Sequence, residues 1–326
     1  MAAYTRPLII FFLLSILILT FANGNGPNST TRFPADTSRR HYLPRDDHSS
    51  TDGTQFGWCG DSENHCLITS GCQLAFGRCT SLADYDFSKL IKLRRRLLGK
   101  VPYGTPIFNC RTTGQIALTY DDGPYLYTVQ LLDILKAAGA KATFFITGSN
   151  LAKGPIDNES LPWANLIRRM YREGHQIASH TWTHPDLQSL SESNRRNEMY
   201  RLELALSRIL GFFPAYMRPP YSSCGDQCHA TMLALGYRVI YFDLDTDDYN
   251  HALPDQIHDS VVIATQGIEA VKPRSGSILS IAHDVHPLSV SNLTVAMLRV
   301  IKENGFKTVT VGECLGDPES HWYRKL

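Results

Sequence analysis

From residue 115 onward the apolar positions fall into a regular alternation. Short strand-like runs at 115–120, 142–147, 175–179, 215–217, 238–242, 277–281 and 308–311 are separated by segments of helical period. The helical segments are 128–138, 162–172, 191–210, 226–235 and 290–304, closed by Gly139, Gly174, Gly211, Gly236 and Gly305. Strand, helix and strand in repetition, with a glycine behind nearly every helix, predict a parallel α/β architecture. Roughly seven such units over about 210 residues fit a barrel better than an open sheet, although periodicity alone leaves both open. Ahead of the alternation, a basic stretch at 87–98 reads as helical.

The first 80 residues have a different character. Arg6 precedes an apolar run at 8–19, and Thr20-Phe21-Ala22 then places small residues where a signal peptidase reads, so residues 1–22 read as a cleaved signal, with an uncleaved anchor as the alternative. The run is shorter than the roughly 20 residues that span a bilayer. Residues 23–53 are polar and aperiodic, a linker. Residues 54–80 hold four cysteines, dense enough for a small stapled module. Export gives all eight cysteines a meaning as disulfides, and the sequons at Asn28, Asn158 and Asn292 agree with it. Cys224 and Cys228, four apart, are placed to close a short loop. A hydrophobic content of 43% and a net charge of +1 describe a globular chain and argue against nucleic acid or anionic membrane as a partner; the expected state is a monomer. The chain ends His321-Trp322-Tyr323-Arg324-Lys325-Leu326, which is no signal for a lipid anchor.

Candidate chemistry centres on 177–187, where His180 and His184 lie four apart, a spacing that aims two imidazoles at one metal ion. Pro185 favours a loop over a helix there, because the residue before proline is pushed out of the helical region. Thr181 stands where a helical zinc protease carries its general base, so a base must come from elsewhere. Polar clusters follow the other strands: Asp121-Asp122-Gly123-Pro124, Arg218-Pro219-Pro220-Tyr221, the acidic run at 243–249 and His283-Asp284. In a parallel α/β fold the strand C-termini open on one face, which gathers these clusters into one site. Adjacent carboxylates in an extended turn point apart, so one can join the histidines while the other faces the reacting water.

Five stretches in order, Thr119-Tyr120-Asp121-Asp122-Gly123, His180-Thr181-Trp182-Thr183-His184, Arg218-Pro219-Pro220-Tyr221, Asp245-Thr246-Asp247-Asp248-Tyr249 and Ile281-Ala282-His283-Asp284, resemble the motifs of the polysaccharide deacetylase (NodB homology, carbohydrate esterase family 4) family. The resemblance spans 115–311 within a catalytic domain at 81–326, and the His-Thr-Trp-Thr-His form is especially like that of fungal chitin deacetylases. It implies a distorted (β/α) barrel. Asp122, His180 and His184 would bind a metal, Zn2+ or another divalent ion such as Co2+. Asp121 would be the general base, oriented by Arg218, and His283 the general acid, positioned by Asp248. Tyr221 would offer its backbone N–H to the oxyanion and Ile281 would line the acetyl-methyl pocket, with Tyr249 also at the substrate. Trp182 would be either a groove wall or packing beneath the metal. Tyr120 and Tyr249 replace the family's more usual phenylalanine and tryptophan and keep a ring. Cys110 and Cys314 would tie the ends of the catalytic domain together, as in fungal relatives.

A second, partial resemblance lies at 54–80, whose cysteine spacing is similar to the second half of a hevein-like chitin-binding module, with Thr54, Phe56 and Trp58 at the sugar-stacking positions. Cys72 and Cys79 keep the partner this implies, and Cys59 and Cys66 would then pair with each other. The first half of the module is missing and His65 replaces its usual tyrosine, so a structural plug and a weak chitin binder are both open. The joint expectation is a secreted chitin deacetylase of the extracellular space or cell wall. The alternatives are an O-acetyl xylan or peptidoglycan deacetylase, and an inactive carbohydrate-binding protein.

Overall fold

A computed structural model describes residues 52–53, 59–60 and 86–326. The expected signal, linker and most of the cysteine module, including Asn28, Thr54, Phe56, Trp58, Cys66, Cys72 and Cys79, lie outside the described residues, and Cys59 is described in its backbone alone. Asp52–Gly53 and Cys59–Gly60 pair antiparallel.

The alternation seen in the sequence becomes a ten-stranded parallel sheet. Its strands are β1 (Pro106–Ile107), β2 (Gln115–Ala117), β3 (Thr119–Asp121), β4 (Thr143–Ile146), β5 (Gln176–Ser179), β7 (Tyr216–Met217), β8 (Arg238–Ile240), β9 (Leu244–Asp245), β10 (Ile278–His283) and β11 (Lys307–Val309). Strand β6 (Phe213–Pro214) instead pairs antiparallel with the C-terminal β12 (Tyr323–Arg324). The order across the main sheet is β11-β2-β10-β3-β4-β5-β7-β8-β1, with β9 beside β10.

Because side chains alternate along a strand, the sheet builds two cores. Ile116, Leu118, Phe144, Ile146, Ile177, Met217 and Val239 pack outward against the helices. Their neighbours Ala117, Phe145, Ala178, Tyr216 and Ile240 join Ile107 of β1 and Val309 of β11 in one inner cluster. Strands at the two ends of the sheet share that cluster, so the sheet curls round it as the expected distorted barrel. The two edges are joined by the Cys110–Cys314 disulfide, and Arg111 and Thr112 donate backbone N–H groups to Cys314 O at 2.9 and 3.2 Å.

The helices are α1 (Ser88–Lys92), α2 (Thr128–Ala137), α3 (Trp163–Arg172), α4 (Glu192–Leu210), α5 (Asp226–Ala234), α6 (Ile257–Glu269), α7 (Thr294–Glu303) and the short α8 (Val311–Cys314). The five helix-closing glycines all take positive φ, between 62° and 80°, the left-handed C-terminal conformation that glycine adopts without strain. Three expectations change. The basic stretch 87–98 is helical only over α1: Leu93 leaves the helix in extended conformation, and Arg95 beyond it turns inward to Glu203 and Leu235 O. Val311 does not end a strand but opens α8, through a capping box between Thr310 and Glu313. The segment behind residue 290 enters α7 through a π-helical turn, Ser289–Leu293. Helix α6 had no counterpart in the predicted elements.

Candidate active site

Register aligns the strand ends into one layer. Asp121 is the Cα partner of His283 on one side and of Phe145 on the other; Asp245 is opposite Ile281, and Ser179, which leads into His180, is opposite both Ile146 and Met217. The five sequence clusters meet there around a cleft of about 530 Å³.

Asp121 ends β3 and Asp122 follows it in a left-handed turn, so the two carboxylates diverge. Asp122 (φ 76°) turns toward the histidines: its Oδ1 lies 3.2 Å from His184 Nε2 and 3.7 Å from His180 Nε2. One donor atom from each of the three falls within 4.8 Å of the others. Two further observations fit a metal ion at this point. The Asp122 Oδ1 atom is buried and accepts no hydrogen bond. The His180 Nδ1–H donates to Arg218 O at 2.8 Å, which leaves the Nε2 lone pair facing Asp122. Burial, with the neighbouring His184, pulls His180 down to about 3, and burial also lowers His184, so both rings are neutral and free to ligate. His184 adopts φ 61°: the expected loop is present, in a left-handed turn that places both rings on one side.

Asp121 points its Oδ1 into the buried guanidinium of Arg218, while its Oδ2 lies 3.7 Å from His180 Nε2. Arg218 Nη1 donates to Asp121 Oδ1 at 2.8 Å and to Thr119 Oγ1 at 2.7 Å, Nη2 donates to Tyr241 O, and the group lies 4.2 Å over the Phe145 ring. Burial outweighs Arg218 and pushes the Asp121 carboxyl up to about 6. Beside it, His283 Nδ1–H donates to Asp248 Oδ1 at 2.8 Å, while Asp248 Oδ2 accepts the His283 backbone N–H. Burial opposes the cation, but Asp248, then Asp122 and Asp121, raise His283 to about 10.

The cleft walls include two exposed rings, Tyr221 and Tyr249, with Ile281 nearly buried between the walls and the catalytic layer. Tyr221 (φ 57°) sets its ring edge-on to His184, and Tyr249 sets its ring edge-on to His283 while donating its hydroxyl to Asp245. Trp182 is not a groove wall. It is 0% exposed, slotted against Gly148, where an added Cβ would meet the indole at 1.8 Å, with Arg201 stacked 3.7 Å from the ring centre.

Three buried titratable side chains surround the metal triad; the sequence pointed to Asp284 only as part of a motif, and to Glu198 and Lys153 not at all. Glu198 of α4 accepts the backbone N–H groups of Trp182 and Thr183 at 2.9 and 2.8 Å, and the Thr183 hydroxyl at 2.8 Å. Lys153 donates to Asp122 O, Gly123 O and Thr147 Oγ1 at 2.7–3.0 Å. Asp284 accepts from Thr128 Oγ1 and presses on Gly123, where a Cβ would come within 2.1 Å of its carboxylate. Asp122, Thr181, His184, Tyr221, Ser222 and Asp247 are six of eight non-glycine residues at positive φ among the described residues. Such turns persist where the surroundings over-determine them, and Glu198 and Lys153 provide that constraint for the two metal-bearing loops. Lys153-Gly154-Pro155 reads in sequence as a surface turn, and Glu198 as one charge on an amphipathic helix. His286, also at the cleft, carried no signal beyond its closeness to His283.

The comparisons agree with this geometry. Residues 109–240 match the family model described as polysaccharide deacetylase. A chitin deacetylase of Colletotrichum lindemuthianum is 43% identical over 249 residues, 76% of this chain and 97% of that protein. The solved structure of the chitin deacetylase from that organism superposes with a TM-score of 0.66 at 44% identity, covering 69% of this chain and 97% of the other. A probable peptidoglycan-N-acetylglucosamine deacetylase of Arthroderma benhamiae is also 43% identical, over 69% of this chain and 49% of that protein. The ordered strand-end motifs, the barrel that brings them together and these similarities lead to one assignment: the chain belongs to the polysaccharide deacetylase family.

Proposed function

We propose that this protein is a secreted, metal-dependent chitin deacetylase that hydrolyses the N-acetyl groups of β-1,4-linked N-acetylglucosamine to give chitosan and acetate. The observation that carries the reading is the pairing, in one cleft, of an open His2Asp triad with two differently held groups, Asp121 on the Arg218 guanidinium and His283 on the Asp248 carboxylate. Three protein ligands of oxygen and nitrogen suit Zn2+ with positions left open, and Co2+ fits the same donors. When bound, the ion would supply Lewis acidity toward the acetamide carbonyl and toward water.

The remaining work falls to the chain's own side chains. Asp121, ionised at neutral pH and held by Arg218, accepts the proton of the attacking water. The Tyr221 backbone N–H faces the developing oxyanion. His283, kept protonated by Asp248, donates to the departing amine, which would be a very poor leaving group as an anion. Ile281 forms the floor for the acetyl methyl, and Tyr249 and Tyr221 flank the sugar.

N-acetylglucosamine polymers stand ahead of acetyl-xylan because similar proteins are named chitin deacetylase and peptidoglycan-N-acetylglucosamine deacetylase, with peptidoglycan as the competing N-acetyl substrate. Acetate release from defined chitin oligomers, peptidoglycan and acetyl-xylan decides among them; release from acetyl-xylan alone would exclude the assignment. Metal analysis of the purified protein, and restoration of activity by Zn2+ after chelation, tests the cofactor. Glycosylation belongs to the same reading: Asn158 and Asn292 are both exposed, and intact-mass analysis before and after glycosidase treatment checks it.

A further inference from the structure

A second concavity lies away from the strand C-termini that form the catalytic layer. It is bordered by the chain behind α1 and by β12, whose partner β6 precedes β7, and by Gly236, which precedes β8; it therefore sits at the N-terminal ends of the strands, opposite the cleft. Its rim is built rather than loose. Arg95 makes a two-pronged ion pair with Glu203 at 2.6 and 2.7 Å, both side chains nearly buried. Buried Arg238 donates to Leu98 O at 2.7 Å. Arg95 points in to its pair with Glu203, while Arg94 and Arg96 on either side of it are exposed.

The volume is about 180 Å³, and Arg94, Arg96, Arg324, Lys325 and His321 line it; no carboxylate is among the lining residues, and the Asp317 carboxylate behind them is taken up by His321 Nδ1 at 2.9 Å and by Arg238 Nη2 at 3.1 Å. Arg324 is held by Gly236 O, and its Nη1 is buried with no hydrogen-bond acceptor. The charge is local, since the whole chain carries only +1. Between residues 86 and 100 the cations are Lys89, Lys92, Arg94, Arg95, Arg96 and Lys100, and the only acid is Asp86. Guanidinium forks match tetrahedral oxyanions and carboxylates in geometry as well as charge.

We propose that this concavity binds an oxyanion group of an anionic polysaccharide, tethering the enzyme by the face opposite its cleft. The pocket takes one sulfate-, phosphate- or carboxylate-bearing unit, and the lysines of the same segment meet the charges that follow along the polymer. A free inorganic anion would occupy the same pocket without gaining those further contacts.

Calorimetry of the full chain with a sulfated polysaccharide of defined length, with inorganic sulfate and with anionic phospholipid vesicles tests this. The variant Arg94→Gln/Arg96→Gln/Lys325→Gln is set against Arg172→Gln/Lys302→Gln/Lys307→Gln, which removes the same charge from exposed positions elsewhere. The expected result is polysaccharide binding that weakens with salt, falls at least about 10-fold in the pocket variant and stays within about 2-fold in the control, with rates on short neutral oligomers unchanged. Equal losses in both variants, binding of inorganic sulfate only, or binding of vesicles in preference to polysaccharide would each overturn the proposal.

Discussion

His180 shows how much one hydrogen bond decides. With Nδ1–H committed to Arg218 O, its Nε2 is left as a ligand, and the same Arg218 side chain holds Asp121. Metal ligand and reacting carboxylate are thereby fixed by two ends of a single residue. Replacing Asp121 by Asn should lower kcat by about 100- to 10,000-fold while the metal content measured by plasma emission is unchanged. Loss of metal in that variant would instead make Asp121 a ligand. The Asp248→Asn variant tests the acid. Asp248 raises the His283 pKa, and His283 must be protonated to act, so removing the carboxylate should move the alkaline limb of the kcat/KM profile to lower pH. An unmoved alkaline limb would assign it to another group.

At the scale of elements, the metal-bearing loops depend on helices that never touch substrate. Glu198 lies on α4, two turns behind the N-cap Ser191, and it satisfies donors of the loop behind β5. Glu198→Ala should weaken Zn2+ affinity in a competition titration by about 10- to 100-fold, as loss of outer-sphere support does in metal sites. Affinity equal to the parent protein would show that the loop holds its shape without it. Helix α4 is also tied to the loop ahead of α3 through Asp157, which pairs with Arg201 and Arg208 at 3.0 Å. Burial works against the Asp157 carboxylate, but the two arginines hold its pKa below the ordinary value. Its contribution to stability is therefore complete above about pH 4 and is lost as pH falls through the depressed folded value. Asp157→Ala should cost about 3 kcal/mol in urea unfolding at pH 7, and the difference from the parent protein should shrink toward pH 2. A difference independent of pH would assign the loss to packing. Neither Glu198 nor Asp157 was readable beforehand, because a charge on a helix face or in a loop looks the same whether it meets water or a buried donor.

For the whole molecule, the two edges of the curled sheet are linked by the disulfide whose cysteines follow β1 and β11. Cys110 and Cys314 are separated by 204 residues, so the bond removes much freedom from the unfolded chain, about 5 kcal/mol in the entropy model. Cys110→Ser/Cys314→Ser should lower the melting temperature well beyond Cys224→Ser/Cys228→Ser, whose loop spans only 4 residues. Equal losses would mean that local geometry, not loop closure, sets the stabilisation. No described helix is long and apolar enough to cross a membrane.

What the amino-acid order determined alone is what repeats locally. Apolar periodicity marks the parallel strands and most helices, the glycines mark where helices stop, and the motif order marks which strand ends carry reactive groups. Those features need only near neighbours and a common architecture to be read. Tertiary structure decided the rest, because it depends on groups distant in sequence arriving at one point. It curled the sheet into a distorted barrel and ended the basic helix at Lys92, with Arg95 buried against Glu203. It sent Trp182 into the core, where Gly148 leaves room for an indole. It also placed Lys153 and Glu198 under the metal loops: a left-handed turn at Asp122 or His184 is unfavourable by local propensity and is held by those buried partners.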